Sequence, residues 1–144
     1  LEKLPMEAMK EDPQVSEYYH LLEYLSTCQI VNFTGISNTE LKLKYGTANL
    51  LLLSNFDQNY TSLVHTLHVL AERLLQNDYK EEARIYLEFA ISLRTDISQS
   101  YYMLADLYRS TGEAKKINEL ILIAKSLNSI MKGIIVRTLQ ESDQ

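Results

Sequence analysis

Three side chains near the middle of the sequence have the types and the spacing of a possible metal site. His65, His68 and Glu72 stand at positions i, i+3 and i+7, so in a helix they share one face and could together ligate zinc. The chain has only three histidines, and no supporting ligand pattern accompanies these two. Because helical histidine pairs often arise by chance on a solvated face, we predict neither a metal site nor a cofactor.

The other residues that could take part in chemistry form no enzymatic signature. The sequence has no glycine-rich phosphate loop, no HExxH motif, and no serine or cysteine nucleophile in a recognisable setting. The single Cys28 ends an apolar segment and is interpreted as a small core residue. Being alone, it excludes an internal disulfide and makes a cysteine-built zinc site implausible. We therefore predict that the protein is not an enzyme and has no catalytic residues.

The composition favours helices and argues against nucleic acid as a partner. The 144 residues are 46% hydrophobic and 23% charged, which is ordinary for a globular domain. There are only four glycines and two prolines, and both prolines lie in the first 13 residues, so long helices are favoured over a turn-rich β-sandwich. The net charge is −5, whereas phosphate binding normally needs a basic face.

No segment predicts a membrane span within this chain. The longest apolar run, Leu120 to Ala124, has five residues, against the roughly twenty that a helix needs to cross. No signal peptide is readable either, and we expect a cytoplasmic location. Since the chain begins with Leu1 and not with Met, it is also expected to be a piece of a longer protein, whose N-terminus could add a signal or an anchor.

Hydrophobic residues at helical spacing predict about seven helices with short connections, and therefore an all-α protein. Residues 1–14, with both prolines, are interpreted as a leader or linker. Polar breaks are predicted at Asp57–Asn59 and at Asn77–Asp78, and Gly112 is predicted to end a helix in the left-handed conformation. The predicted helices cover about 15–30, 39–56, 61–76, 79–94, 98–110, 113–127 and 129–140, with side-chain caps from Asn59 or Thr61 for the third and from Asp96 or Ser98 for the fifth.

An internal repeat of 34 residues relates the third and fourth predicted helices to the fifth and sixth. Small residues give the sharpest matches, because the chain has only eight alanines and four of them pair at this offset. Small residues let two helices approach closely, while larger ones interlock with the next hairpin. The pairs are Ala71 with Ala105, Ala90 with Ala124, Leu67 with Tyr101, Leu70 with Leu104, Leu74 with Tyr108, Leu87 with Ile121 and Leu93 with Leu127.

On these residues, together with Ala83 and Gly112, the segment 64–131 resembles two tetratricopeptide repeats. The resemblance implies antiparallel helical hairpins stacked as a short right-handed superhelix. Residues 15–63 would form a degenerate hairpin repeat, and residues 129–144 a C-terminal capping helix and tail, all in one domain. The sequence departs from the family pattern at Ile117, which replaces a small residue, and at Thr95 and Ser129, where a proline is common.

The resemblance also implies a concave groove that receives a peptide or a partner helix. Its lining would come from two stripes of residues spaced by three or four, one on each first helix of a repeat. The first stripe is His65, His68, Glu72 and Gln76, and the second stripe is Gln99, Tyr102, Asp106 and Arg109. Because Glu72 and Asp106 are acidic, a partner of basic or mixed charge is favoured over a carboxylate terminus.

These residues predict a non-enzymatic protein-interaction module or scaffold, with Tyr102 as the best exposed anchor. A solvated helix face is an equally good interpretation of the two stripes. A different class of function is a structural or assembly role, in which the last helix or the N-terminal pair packs on a second copy, as in a homodimer, or on a missing part of a longer chain. An unrelated helical bundle is the alternative fold.

Overall fold

A computed structural model describes residues 4–28, 30 and 50–142 of the chain. This part is all-helical, with six α-helices, one short 3₁₀ helix and no strand. Most of the second predicted helix, and the loop before it, lie outside the described residues. The helices are α1 (Pro13–Leu25), α2 (Leu50–Gln76), α3 (Lys80–Ser92), α4 (Ser98–Ser110), α5 (Ile117–Lys125) and α6 (Lys132–Ser142), and the 3₁₀ helix is Ala114–Lys116.

Helix α1 begins where the sequence offers both a cap and a proline. Asp12 accepts hydrogen bonds from the backbone N–H groups of Gln14 and Val15, and Pro13 occupies the first turn, where its missing N–H costs nothing. The residues Val15, Tyr19, Leu22 and Leu25 bury one side of the helix. That side packs against α2.

Helix α2 continues without interruption for 27 residues, so the break predicted at Asp57–Asn59 is wrong. Three consecutive polar residues there suggested a loop, but neither Gly nor Pro occurs between Leu50 and Gln76. Asp and Asn inside a helix cost only about 0.5–0.7 kcal/mol each relative to alanine, which tertiary packing readily offsets. The side-chain cap predicted at Asn59 or Thr61 is therefore absent as well.

The ends of three helices are closed by main-chain hydrogen bonds. Asp78, Arg94 and Gly112 adopt positive φ values of 68°, 65° and 77°, and the N–H after each reaches back to a carbonyl in the last turn. In α2, for example, the Tyr79 N–H donates to the Leu74 carbonyl at 2.9 Å. These are Schellman motifs, and the left-handed conformation predicted for Gly112 is confirmed.

The 34-residue offset recurs in the boundaries of the helices. Gln76 and Ser110 are the last residues of α2 and α4, Asp78 and Gly112 are the left-handed residues after them, and Lys80 and Ala114 begin the next elements. Nearly all of the residues in the pairs that define the repeat are buried. Ile117, which corresponds to Ala83 at this offset, is buried as well. The two units differ in both helices, because α2 extends further toward its N-terminus than α4 does, and because the 3₁₀ turn Ala114–Lys116 precedes a short α5.

Successive helices pack on each other in chain order, and α6 also packs on α4. Ile135 and Leu139 of α6 are fully or almost fully buried. An ion pair joins the two repeat units, since Nη1 of Arg84 in α3 donates to both carboxylate oxygens of Glu113, each at 3.0 Å. The hydrogen bond from Lys116 and the charge of Arg84 lower the pKa of Glu113.

Residues 4–12, which we call the N-terminal strap, pack against the helices. The hydroxyl of Tyr86 in α3 donates to the Pro5 carbonyl at 2.5 Å, and that of Tyr19 in α1 donates to the Ala8 carbonyl at 2.6 Å. The two tyrosine rings stack with their centroids 6.5 Å apart. Leu4, Met6, Ala8 and Met9 add apolar contacts to the core. The strap thereby ties α1 to α3, which the interpretation as a leader or linker did not anticipate.

No helix in the part of the chain that the structure describes is both long and apolar enough to span a membrane.

Candidate functional site

The two stripes lie on helices that a side-chain hydrogen bond connects directly. Nδ1 of His68 in α2 lies 2.9 Å from the Ser100 hydroxyl oxygen in α4. Ser100 is fully buried, and the side chain of His68 is 12% exposed. His68 was predicted to line the groove, but its mostly buried side chain bonds α2 to α4.

The other stripe residues differ in exposure. His65, Glu72, Gln76, Gln99 and Asp106 are exposed, while Tyr102 and Arg109 are half-buried. Tyr102 packs partly against the hydrophobic core, so it is anchored by its neighbours and only partly available to a partner. The exposed members are polar on both helices.

Acidic groups dominate the exposed charge of the stripes. The Glu72 carboxylate lies 3.6 Å from Nε2 of His68 and is 54% exposed. Asp106 is 76% exposed and forms an ion pair with Arg109 one turn along α4. Burial lowers the pKa of His68, and the nearby Glu72 charge partly opposes this effect. A neutral His68 leaves Glu72 without a compensating charge from this pair, so this part of the surface is negative at neutral pH.

His65, His68 and Glu72 do not converge as metal ligands. Among the described residues, no group of three or more His, Cys, Asp or Glu side chains is arranged to hold a metal ion. The zinc site considered from the spacing alone is thus not formed.

One concave feature away from the stripes was not identified from the sequence. This cavity of about 260 Å³, which we call the α3–α5 groove, opens between those two helices above α4. Its floor is formed by the apolar or aromatic residues Ile91, Leu104, Tyr108, Leu120 and Ile123. Its rim carries charges of both signs on Glu88, Arg94, Lys116 and Glu119.

Tyr108 organises the polar side of the α3–α5 groove. Its hydroxyl donates to the Glu88 carboxylate at 3.2 Å, and the Lys116 ammonium lies 5.6 Å from the centre of its ring. Burial and the Glu88 charge raise the pKa of Tyr108, so it stays a neutral donor at physiological pH. The repeat pattern predicted only a packing role for Tyr108. A spacing pattern could not show the groove, since its walls come from separate helices.

Comparison with protein-family models found no matching family, and the comparisons with curated proteins and with solved structures found no match either.

Proposed function

We propose that the protein is a non-enzymatic protein-interaction module that binds a peptide or partner helix across the two stripes, in a tetratricopeptide-like arrangement of its hairpins. The observation that carries this proposal is the hydrogen bond between His68 and Ser100, because it links α2, which carries the first stripe, to α4, which carries the second. In the proposed arrangement, one peptide or partner helix contacts both stripes.

The chemistry of that surface favours a partner with basic groups. Glu72 and Asp106 are exposed, and glutamine side chains and the half-buried Tyr102 lie on the same stripes. Acidic groups at the edge of a contact mainly steer association and select partners by charge. A peptide with lysine or arginine beside apolar residues would satisfy both the carboxylates and the tyrosine ring.

A random 12-residue peptide library displayed on phage and selected against the immobilised chain tests this function. We expect the selected peptides to be enriched in Lys or Arg. Their affinity, measured by isothermal titration calorimetry, is expected to fall at least tenfold in a Glu72→Lys, Asp106→Lys double variant. Tyr102 is left unchanged, because truncating it would also disturb the core.

The matched control is a Glu17→Lys, Glu141→Lys double variant. It makes the same change in net charge at exposed positions on α1 and α6, away from the stripes. Selected peptides that bind both double variants equally well would refute the stripes as the binding surface. A selection that enriches no peptide would refute peptide binding itself.

A second candidate function is assembly, which the exposed apolar side chains at the C-terminal end favour. Ile130 is 100% exposed, Leu122 66% and Ile134 51%. Exposed apolar groups at the end of a helical stack promote association with another surface. Sedimentation velocity over a hundredfold range of concentration distinguishes the two functions, because only assembly of this chain with itself makes the mass rise with concentration.

A further inference from the structure

The 34-residue offset relates one wall of the α3–α5 groove, on α5, to the face of α3 that binds the N-terminal strap. Tyr86 of α3, whose hydroxyl holds the Pro5 carbonyl, corresponds to Leu120 of α5 on the groove floor. The strap lies against this face of α3 and against α1, and the groove lies between the equivalent face of α5 and α3. The strap therefore shows, one repeat earlier, how a segment of chain can cover this side of the hairpins.

The bound strap has a defined chemistry. It presents Leu4 and Met6 to the core around Pro5, it is not helical at these residues, and it carries both Glu7 and Lys10 beside its apolar part. Proline stiffens such a segment and lowers the entropy lost when it is bound in an extended form. Apolar side chains and main-chain carbonyls make the contact, while Glu7 and Lys10 pair with each other at the surface, 3.6 Å apart.

We propose that the α3–α5 groove is a second binding site, which takes an extended proline-containing segment of a partner protein with the chemistry of the strap. The groove offers an apolar floor at Leu104, Leu120 and Ile123. Its volume of about 260 Å³ suits one or two side chains of the size of leucine or methionine. This site is lined by residues of α3, α4 and α5, and none of them belongs to the two stripes.

Charge complementarity supports the same kind of occupant. The rim carries acidic Glu88 and Glu119 as well as basic Arg94 and Lys116, which matches a segment carrying both signs and disfavours one that is uniformly charged. The chain's own strap is already bound at Tyr19 and Tyr86 by two hydrogen bonds. A separate partner is therefore the occupant that leaves the strap in place.

The test uses a fluorescein-labelled peptide with the sequence LPMEAMK, which is that of residues 4–10, and the full chain. Saturable binding is expected in fluorescence anisotropy, with an affinity that falls at least tenfold in Ile123→Glu. The matched control is Leu122→Glu, a neighbour on α5 that does not line the groove and is 66% exposed. It is expected to bind as the unaltered chain does. Circular dichroism checks that both variants remain helical.

A peptide with serine in place of its leucine and first methionine is expected to lose at least tenfold in affinity, because the apolar side chains fill the floor. Equal binding by Ile123→Glu and Leu122→Glu would overturn the proposal, as would the absence of saturable binding. A dimer of the chain that disappears when residues 1–9 are removed would also overturn it, since a second copy's strap would then be the occupant.

Discussion

At the scale of single residues, His68 links the structure of the proposed peptide surface to pH. Its ring is mostly buried between α2 and α4, and it contacts the Ser100 hydroxyl. Burial lowers its pKa below the ordinary value of about 6.5, while the Glu72 charge raises it and the His65 charge lowers it further. The folded chain therefore binds fewer protons at this site than the unfolded chain does.

The stability that neutral His68 contributes is thus present above about pH 6.5 and is lost as the pH falls from there towards the lowered pKa. One full proton of difference changes the free energy of unfolding by at most about 1.4 kcal/mol per pH unit. We expect His68→Gln to remove this part of the pH dependence. Urea unfolding of both proteins between pH 5 and 7.5 measures it. Parallel curves for the two would contradict the assignment to His68.

At the scale of helices, the left-handed residues after α2, α3 and α4 decide where each helix stops. Gly112 has φ of 77°, a conformation that costs other residues roughly 1–2 kcal/mol. A β-carbon built there would meet no atom within 4 Å, so the cost of adding one is purely conformational. Asp78 holds the same place in the first unit and bears part of that cost.

Replacing Gly112 with alanine is expected to lower the free energy of unfolding by about 1 kcal/mol, through backbone strain alone. Gly133→Ala is the matched comparison, since its β-carbon also meets no atom within 4 Å and its residue lies in α6. There alanine is expected to raise stability by up to about 1 kcal/mol. Denaturant unfolding measures both, and the same sign for the two changes would refute the explanation.

Helix ends also show what local sequence can and cannot predict. The left-handed conformation of Gly112 was predictable, because glycine adopts it readily whatever residues surround it. The start of α4 was not: Ile97 precedes it without a side-chain cap, while the Asp96 carboxylate accepts a hydrogen bond from the Ser129 hydroxyl at 2.7 Å. A partner that is distant in the sequence changed the role of a residue that local rules assign to a cap.

At the scale of the whole molecule, the N-terminal strap connects parts that are far apart in the sequence. Its contact from Pro5 to Tyr86 spans 81 residues. Burial raises the pKa of Tyr19 to about 12 and that of Tyr86 still further, so both hydroxyls remain donors across the physiological range. The strap stabilises the folded chain, since without it two buried hydroxyls would lose their acceptors.

We expect Tyr86→Phe to cost about 1 kcal/mol in the free energy of unfolding, because the Pro5 carbonyl loses its donor. Removing residues 1–9 is expected to cost more, since the apolar contacts of Leu4 and Met6 are lost as well. Tyr24→Phe is the control, at a side chain that is 64% exposed. Urea unfolding measures all three, and a truncated chain as stable as the full one would refute the role of the strap.

The candidate sites, like the helix ends, include features that the local sequence predicts and features that depend on contacts between helices. The two stripes could be predicted because each lies on one helix, where spacing alone places residues on a face. The burial of His68 and the α3–α5 groove depend on which helices meet, and Ser100 and Tyr108 show no sign of this in their local sequence. The strap, likewise, is recognisable only from its contacts with Tyr19 and Tyr86.

The unbroken helix α2 imposes a rule on how the length of this protein can change. Along about 40 Å of one rod it carries the contacts of Tyr60 with Leu93, His68 with Ser100 and Arg73 with Asp12. One residue inserted between Tyr60 and Arg73 would turn one end by about 100° against the other. Insertions or deletions close to a whole number of turns, such as about seven residues for two turns, would keep all three contacts on their proper sides.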